Sequence, residues 1–153
     1  GLWWRLHSLH HSQQQMTMWS DNRNHLLDDV LVSVLLVLLA QLIGVAPEQF
    51  VAIVALTQLS ESLQHANLRL SFGRIGERLW VSRLFHRVHH SIHSADSNYG
   101  VLLPWWDQLF GTANFQTHCD PTGVKDAHNA MLDDGAGLAS QQWRGLKRLL
   151  GRA

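Results

Sequence analysis

An all-α membrane protein whose helices carry a histidine-built metal site is the fold class that this 153-residue sequence predicts. Three observations predict it. Two apolar runs of 17 residues each, 30–46 and 47–63, stand side by side in the middle of the chain. All 12 Lys and Arg lie outside those runs. The spacing His-x-x-His-His occurs twice, at His7, His10, His11 and at His86, His89, His90.

The first run is interrupted only by Ser33, Gln41 and Gly44, and the second carries charge only at Glu48 and Glu61. As helices each would span about 25 Å, slightly short of the roughly 30 Å hydrocarbon core of a bilayer. Gly44 is placed to end one helix and Pro47 to start the next, the punctuation of a tight helical hairpin over about 30–63. Runs of this length also suit a soluble bundle whose two central helices are buried on all sides. The charge layout favours the membrane: cations stand at Arg5 and Arg23 before the hairpin and from Arg69 onward after it, while the turn carries only Glu48. By the positive-inside bias both flanks are cytoplasmic, and the hairpin is transmembrane or re-entrant. Trp19 and Trp80 fall just outside its two ends, where an interfacial belt would place them.

The remaining segments follow from local composition. Residues 2–16 and 75–93 have helical character, and 94–104 reads as a loop. Residues 114–137 turn to Asp, Gly, Asn and Thr, which predicts a solvated connector of low order. Then Leu138, Trp143, Leu146, Leu149 and Leu150 alternate with Arg144, Lys147 and Arg148, a short basic amphipathic helix suited to surface packing or to a membrane surface. The expected organisation is a partial catalytic domain over 1–113 and a connector with its helix over 114–153. Twelve Lys+Arg against twelve Asp+Glu leave no net charge, which removes the electrostatic case for nucleic acid. The single cysteine, Cys119, excludes an internal disulfide and a cysteine-built zinc or iron–sulfur site, so a metal here must be held by nitrogen or oxygen.

On a helix, positions i, i+3 and i+4 share one face, so each histidine triplet aims three imidazoles in one direction. A two-helix excursion returns to the side it left, which brings the two triplets to the same membrane face. His65 emerges there at the end of the second apolar run, with Glu61 one turn before it as a polar lining residue. His93 suits ligation or solvent equally, and His25, His118 and His128 read as surface residues. Seven imidazoles, His7, His10, His11, His65, His86, His89 and His90, exceed what one tetrahedral ion takes and suggest a metal pair. Ligation dominated by histidine suits non-haem iron, with zinc able to occupy the same positions. No His-Glu-x-x-His, no Glu-x-x-His and no glycine-rich phosphate loop is present.

These segments resemble the membrane-bound fatty acid hydroxylase and sterol desaturase superfamily. The run from Leu2 to Ser12, Leu-Trp-Trp-Arg-Leu-His-Ser-Leu-His-His-Ser, is similar to the family's second histidine box, and Arg23-Asn24-His25 to the Arg-x-His after it. Gln64-His65-Ala66-Asn67-Leu68 resembles the segment that closes the second hairpin, and Phe85-His86-Arg87-Val88-His89-His90-Ser91 the third box. Asp96-Ser97-Asn98-Tyr99-Gly100 and the stretch from Leu103 to Thr112, Leu-Pro-Trp-Trp-Asp-Gln-Leu-Phe-Gly-Thr, resemble the closing signature. The family's first box has no counterpart here and would lie upstream of Gly1, so an N-terminally shortened piece is expected. The loop from Ser91 to Asn98 is also somewhat shorter than the family's.

The resemblance implies an O2-dependent oxidoreductase of lipid biosynthesis, holding two irons on the cytoplasmic face of an integral membrane domain. It would hydroxylate or desaturate a C–H bond of a fatty acyl or sterol-like lipid. Electrons would come from a separate cytochrome b5- or ferredoxin-like carrier, because no haem, flavin or iron–sulfur motif is present. Asp96, Asn98 and Asp107 are candidate acceptors for the far ring N–H of ligating histidines. Trp105, Trp106 and Phe110 read as packing or interfacial residues. Two other classes stay open on the sequence: a membrane protein that binds metal or haem without oxygen chemistry, and a structural fragment whose histidines hold no metal.

Overall fold

The computed structural model describes residues 1–68, 70–94 and 96–152; Arg69, the first cation after the hairpin, lies outside them. Seven α-helices follow in order among the described residues: α1 Trp4–His11, α2 Leu26–Ile43, α3 Pro47–His65, α4 Gly73–Leu79, α5 Arg83–His89, α6 Trp105–Phe110 and α7 Leu138–Leu149. A 3-10 turn, Met18–Asn22, precedes α2. Among the described residues there is no β-strand, only the isolated bridges Ser91–Thr122 and Lys125–Met131.

The hairpin forms where the sequence punctuates it. Gly44 ends α2 in the left-handed region at φ 83°, a conformation that costs glycine no Cβ clash, and its N–H donates to the carbonyls of Ala40 and Gln41. Pro47 takes the first position of α3, where no N–H is needed. Beyond the turn the two helices diverge rather than pack along their length. In α2 only Asp28 is buried, and its Val and Leu side chains face outward all round. The described residues enclose neither helix along its length, as a soluble bundle with both helices buried would require. By length and composition α2 is the one helix among the described residues suited to cross a membrane.

α3 changes character along its length. Its last two turns carry Gln58, Ser60, Glu61, Ser62, Gln64 and His65, and these polar residues hold the helix to the rest of the molecule. Gln58 and Ser62 donate to the Asp21 carboxylate, the latter at 3.1 Å, while the Gln64 amide donates to Val101 O at 2.9 Å. The helix expected over 75–93 is two helices. Trp80 is extended, and Ser82 caps α5 by accepting the Phe85 N–H at 3.1 Å. Val81 N–H, freed from a helix, donates to Leu102 O at 2.9 Å.

The connector is more closely attached than its composition suggests. Thr122, Gly123 and Asp134 are buried, Ser91 donates to Asp120 at 3.0 Å, and Gly123 N–H donates to His90 O at 3.2 Å. α7 packs on α1, with Leu138, Trp143 and Leu150 left exposed. Leu6, Leu9, Met16, Ala66, Val81, Phe85 and Val88 make up the buried apolar set. Around them the interior is largely polar, and its centre is imidazole.

Candidate metal centre

α1 and α5 each present their i, i+3, i+4 histidines toward the other, and the end of α3 inserts His65 between them. All seven rings named from the sequence meet there. They form two groups: His10, His65, His86 and His90, all buried, and His7, His11 and His89, with His11 buried and the other two half-buried. Within each group one ring nitrogen from every residue lies within 4.8 Å of the others. The groups share a wall, in which the His11 and His90 rings stack with centroids 4.3 Å apart.

In the first group the Nε2 atoms of His10 and His65, of His65 and His86, and of His86 and His90 are each 3.2 Å apart. Four nitrogens about 2.0 Å from a common ion in tetrahedral array would be separated by roughly 3.3 Å. The spacing therefore fits a metal–imidazole cage. Protons alone satisfy it poorly: His65 Nδ1 donates to Glu61 O at 2.8 Å, so its Nε2 is a bare lone pair between two other ring nitrogens.

The second group is oriented the same way. His7 Nδ1–H donates to the Asp28 carboxylate at 2.9 Å and His89 Nδ1–H to Ser97 O at 2.9 Å, which turns both Nε2 lone pairs inward. His11 Nε2 is buried with no hydrogen-bond partner, as a ligand atom awaiting an ion would be. Burial, reinforced by the neighbouring imidazoles, holds His10, His86 and His90 well below the ordinary histidine pKa and lowers His11 in the same way. His89 is lowered as well, again chiefly by burial. These rings are neutral at physiological pH, the state in which imidazole binds metal. The donor set thus fits iron or another metal that takes nitrogen ligands.

The hydrogen bonds to the rings do not come from the loop residues that the sequence suggested. Asp107 accepts from Tyr99 N–H, Gly100 N–H and the Thr112 hydroxyl at 2.8, 2.7 and 2.6 Å, so its carboxylate braces the 98–112 loop. Asn98, fully buried at φ 60°, donates to Phe85 O and Asn114 O and accepts from Asn114 N–H. Asp96 is exposed on the cavity wall. The acceptors found instead are Asp28, Glu61 O and Ser97 O, with the Asp21 carboxylate 3.6 Å from His65 Nδ1. Asp28 carries no local signal beyond its place in the first turn of α2.

Among the other histidines, His25 is buried rather than at the surface. Its Nδ1 accepts the Leu27 N–H at 3.2 Å, capping α2, and its Nε2–H donates to Gln142 O at 3.0 Å. His93, His118 and His128 are exposed. A cavity of about 580 Å³ opens onto the rings of both groups. Trp3, Trp4 and Val101 supply its apolar wall, and Glu61 and Asp96 its carboxylates.

The family model for fatty acid hydroxylase matches residues 1–112. Ornithine lipid hydroxylase OlsE of Rhizobium tropici is 34% identical over 111 residues, covering 71% of this chain and 33% of the relative. Alkylglycerol monooxygenase of Caenorhabditis elegans is 26% identical over 123 residues, covering 79% of this chain and 24% of the relative. The chain thus spans about a third and a quarter of the length of these two relatives. No solved structure matches significantly. On the extent of the family match and the two relatives, the chain belongs to the fatty acid hydroxylase family, within the fatty acid hydroxylase and sterol desaturase superfamily.

Proposed function

We propose that this chain is the metal-binding part of an O2-dependent di-iron oxidoreductase that hydroxylates a lipid C–H bond. The observation that carries the proposal is the convergence of seven imidazoles into a group of four and a group of three beneath one cavity. His10, His65, His86 and His90 would hold one iron, and His7, His11 and His89 the other. Bound iron supplies the reduction of O2 and the oxidation of the C–H bond.

The protein's own contribution is orientation and exclusion. Asp28, Glu61 O and Ser97 O fix the tautomers of His7, His65 and His89, and burial keeps His10, His11, His86, His89 and His90 unprotonated. Trp3, Trp4 and Val101 offer an apolar wall along which a hydrocarbon chain can lie beside the rings. The names of the two relatives, a hydroxylase and a monooxygenase, favour oxygen insertion over desaturation. Both act on lipids or lipid-like alkyl compounds, which favours a long-chain substrate with a polar head. The balance is one O2, two electrons and two protons in, one alcohol and one water out. The electrons come from an external cytochrome b5- or ferredoxin-like donor.

The outward-facing apolar surface of α2 supports an integral membrane location, and the flanking cations support a cytoplasmic metal face. The test is to express the gene with its native flanking sequence and to analyse host lipids and bound metal together. A hydroxylated lipid with two irons per chain and no haem absorbance supports the proposal. A haem spectrum, or a metal-free protein that forms no oxidised lipid, overturns it.

A further inference from the structure

The hydrogen bond that orients His7 joins two helices that barely touch. His7 lies on α1, Asp28 in the first turn of α2, and contact between those helices is slight. α7 touches both. Toward α1, Arg148 Nε donates to Arg5 O at 3.1 Å, and Arg5 in return donates to the carbonyls of Arg148 and Leu149, each at 3.2 Å. Toward α2, the Gln142 side chain accepts the Leu26 N–H at 2.8 Å and donates to Asn24 O at 3.0 Å, while its backbone carbonyl accepts from His25 Nε2–H.

Gly145 is what allows this approach. A Cβ there would overlap the His25 ring, 2.9 Å from its Nε2 and closer still to Cδ2. The same ring caps α2 through its Nδ1, three residues before Asp28. Any displacement of His25 therefore moves the start of α2, and with it the carboxylate that sets the His7 tautomer. The whole of α7 lies beyond residues 1–112, the part of the chain that the family model matches.

We propose that α7 is a clamp that fixes α1 against α2, with Gly145 and Gln142 as positioning residues that hold Asp28 on His7 and so complete the three-histidine metal position. The inference rests on the metal reading above. It is tested by Co(II) titration of the native full-length polypeptide containing this chain, purified from membranes, with the visible ligand-field bands followed. The wild type is expected to take two Co(II) per chain. Gly145→Ala should keep the first and bind the second about 10- to 100-fold more weakly, the usual effect of losing an orienting partner. Gly145→Ala with His25→Ser should recover the second, because serine caps α2 without filling the space that the new methyl needs. If Gly145→Ala does not accumulate, Gln142→Ala removes the side-chain hydrogen bonds to Leu26 N–H and Asn24 O without adding an atom and carries the same expectation. Two equally tight Co(II) with wild-type bands in Gly145→Ala and Gln142→Ala overturn the clamp, as does failure of the double variant to recover. A wild type that takes no Co(II) overturns the metal reading itself.

Discussion

Replacing Asp28 by Asn tests how the structure holds a ring rather than whether the ring is present. The Asp28 side chain is 5% exposed, and one of its oxygens accepts the His7 Nδ1–H at 2.9 Å while the other has no partner. An amide is nearly isosteric, so helix α2 and its cap should survive. Two orientations are then open to it. With the amide nitrogen toward His7, Nδ1 must accept, the ring proton moves to Nε2, and the lone pair aimed at the metal is lost. With the amide oxygen toward His7, the tautomer is kept, but a neutral acceptor replaces a charged one and an NH2 is buried unpaired. Orienting partners of ligating histidines typically contribute 10- to 100-fold in metal affinity. The His7 side chain is 34% exposed, so solvent screening favours the lower end. The expectation is about a tenfold loss, about 1.4 kcal/mol, confined to one of two metal positions. Titration with Co(II) reads both positions separately. Unchanged affinity at both, or equal weakening at both, would refute the assignment of Asp28 to the His7 group.

Other consequences follow from the same geometry. Because burial depresses the pKa of His10, His11, His86, His89 and His90 in the folded chain, all are neutral in both states above the ordinary value of 6.5. Below it the unfolded chain takes up protons that the folded chain refuses, so metal-free stability is full above pH 6.5 and falls as the pH drops, by up to about 1.4 kcal/mol per pH unit for each ring. Thermal unfolding between pH 8 and 5 should show this, and a flat profile would contradict it. His89→Ala should abolish product and remove one iron while the four-histidine group keeps the other; unchanged iron and turnover would exclude His89 as a ligand. Asn98→Ala should destabilise by about 3 kcal/mol in denaturant unfolding, since it removes one buried and two part-buried hydrogen bonds to the backbone at a position of positive φ, and a loss below about 1 kcal/mol would contradict that role.

The two histidine triplets were legible because their pattern is local: i, i+3, i+4 spacing puts three side chains on one face whatever surrounds the helix. The hairpin was legible for the same reason, from Gly44 and Pro47. What escaped was tertiary. Asp96, Asn98 and Asp107 follow the third box in the chain and so looked like partners for its rings, yet the hydrogen bonds of Asn98 and Asp107 close the loop that carries them and Asp96 is exposed. The carboxylate that reaches His7 comes from 21 residues away on another helix, a contact that no spacing rule encodes. His25 looked like a surface residue because nothing nearby announces Gln142 and Gly145 as its neighbours. The break at Trp80 to Ser82 was hidden by helix-compatible composition on both sides, although Ser82 is a good capping residue. α3 reads as apolar on average, but its final turns trade hydropathy for the hydrogen bonds that bring His65 into the centre.

The central claim is that two metal ions sit in separate, imidazole-lined positions of this chain. Metal analysis combined with X-ray absorption on the native full-length protein, purified from membranes grown with iron, tests it most directly. The account predicts two irons per chain in nitrogen-rich coordination with no thiolate and no porphyrin signature, and loss of one of them in His89→Ala and in His11→Ala. One iron or none in the wild type, or a haem spectrum, would contradict it.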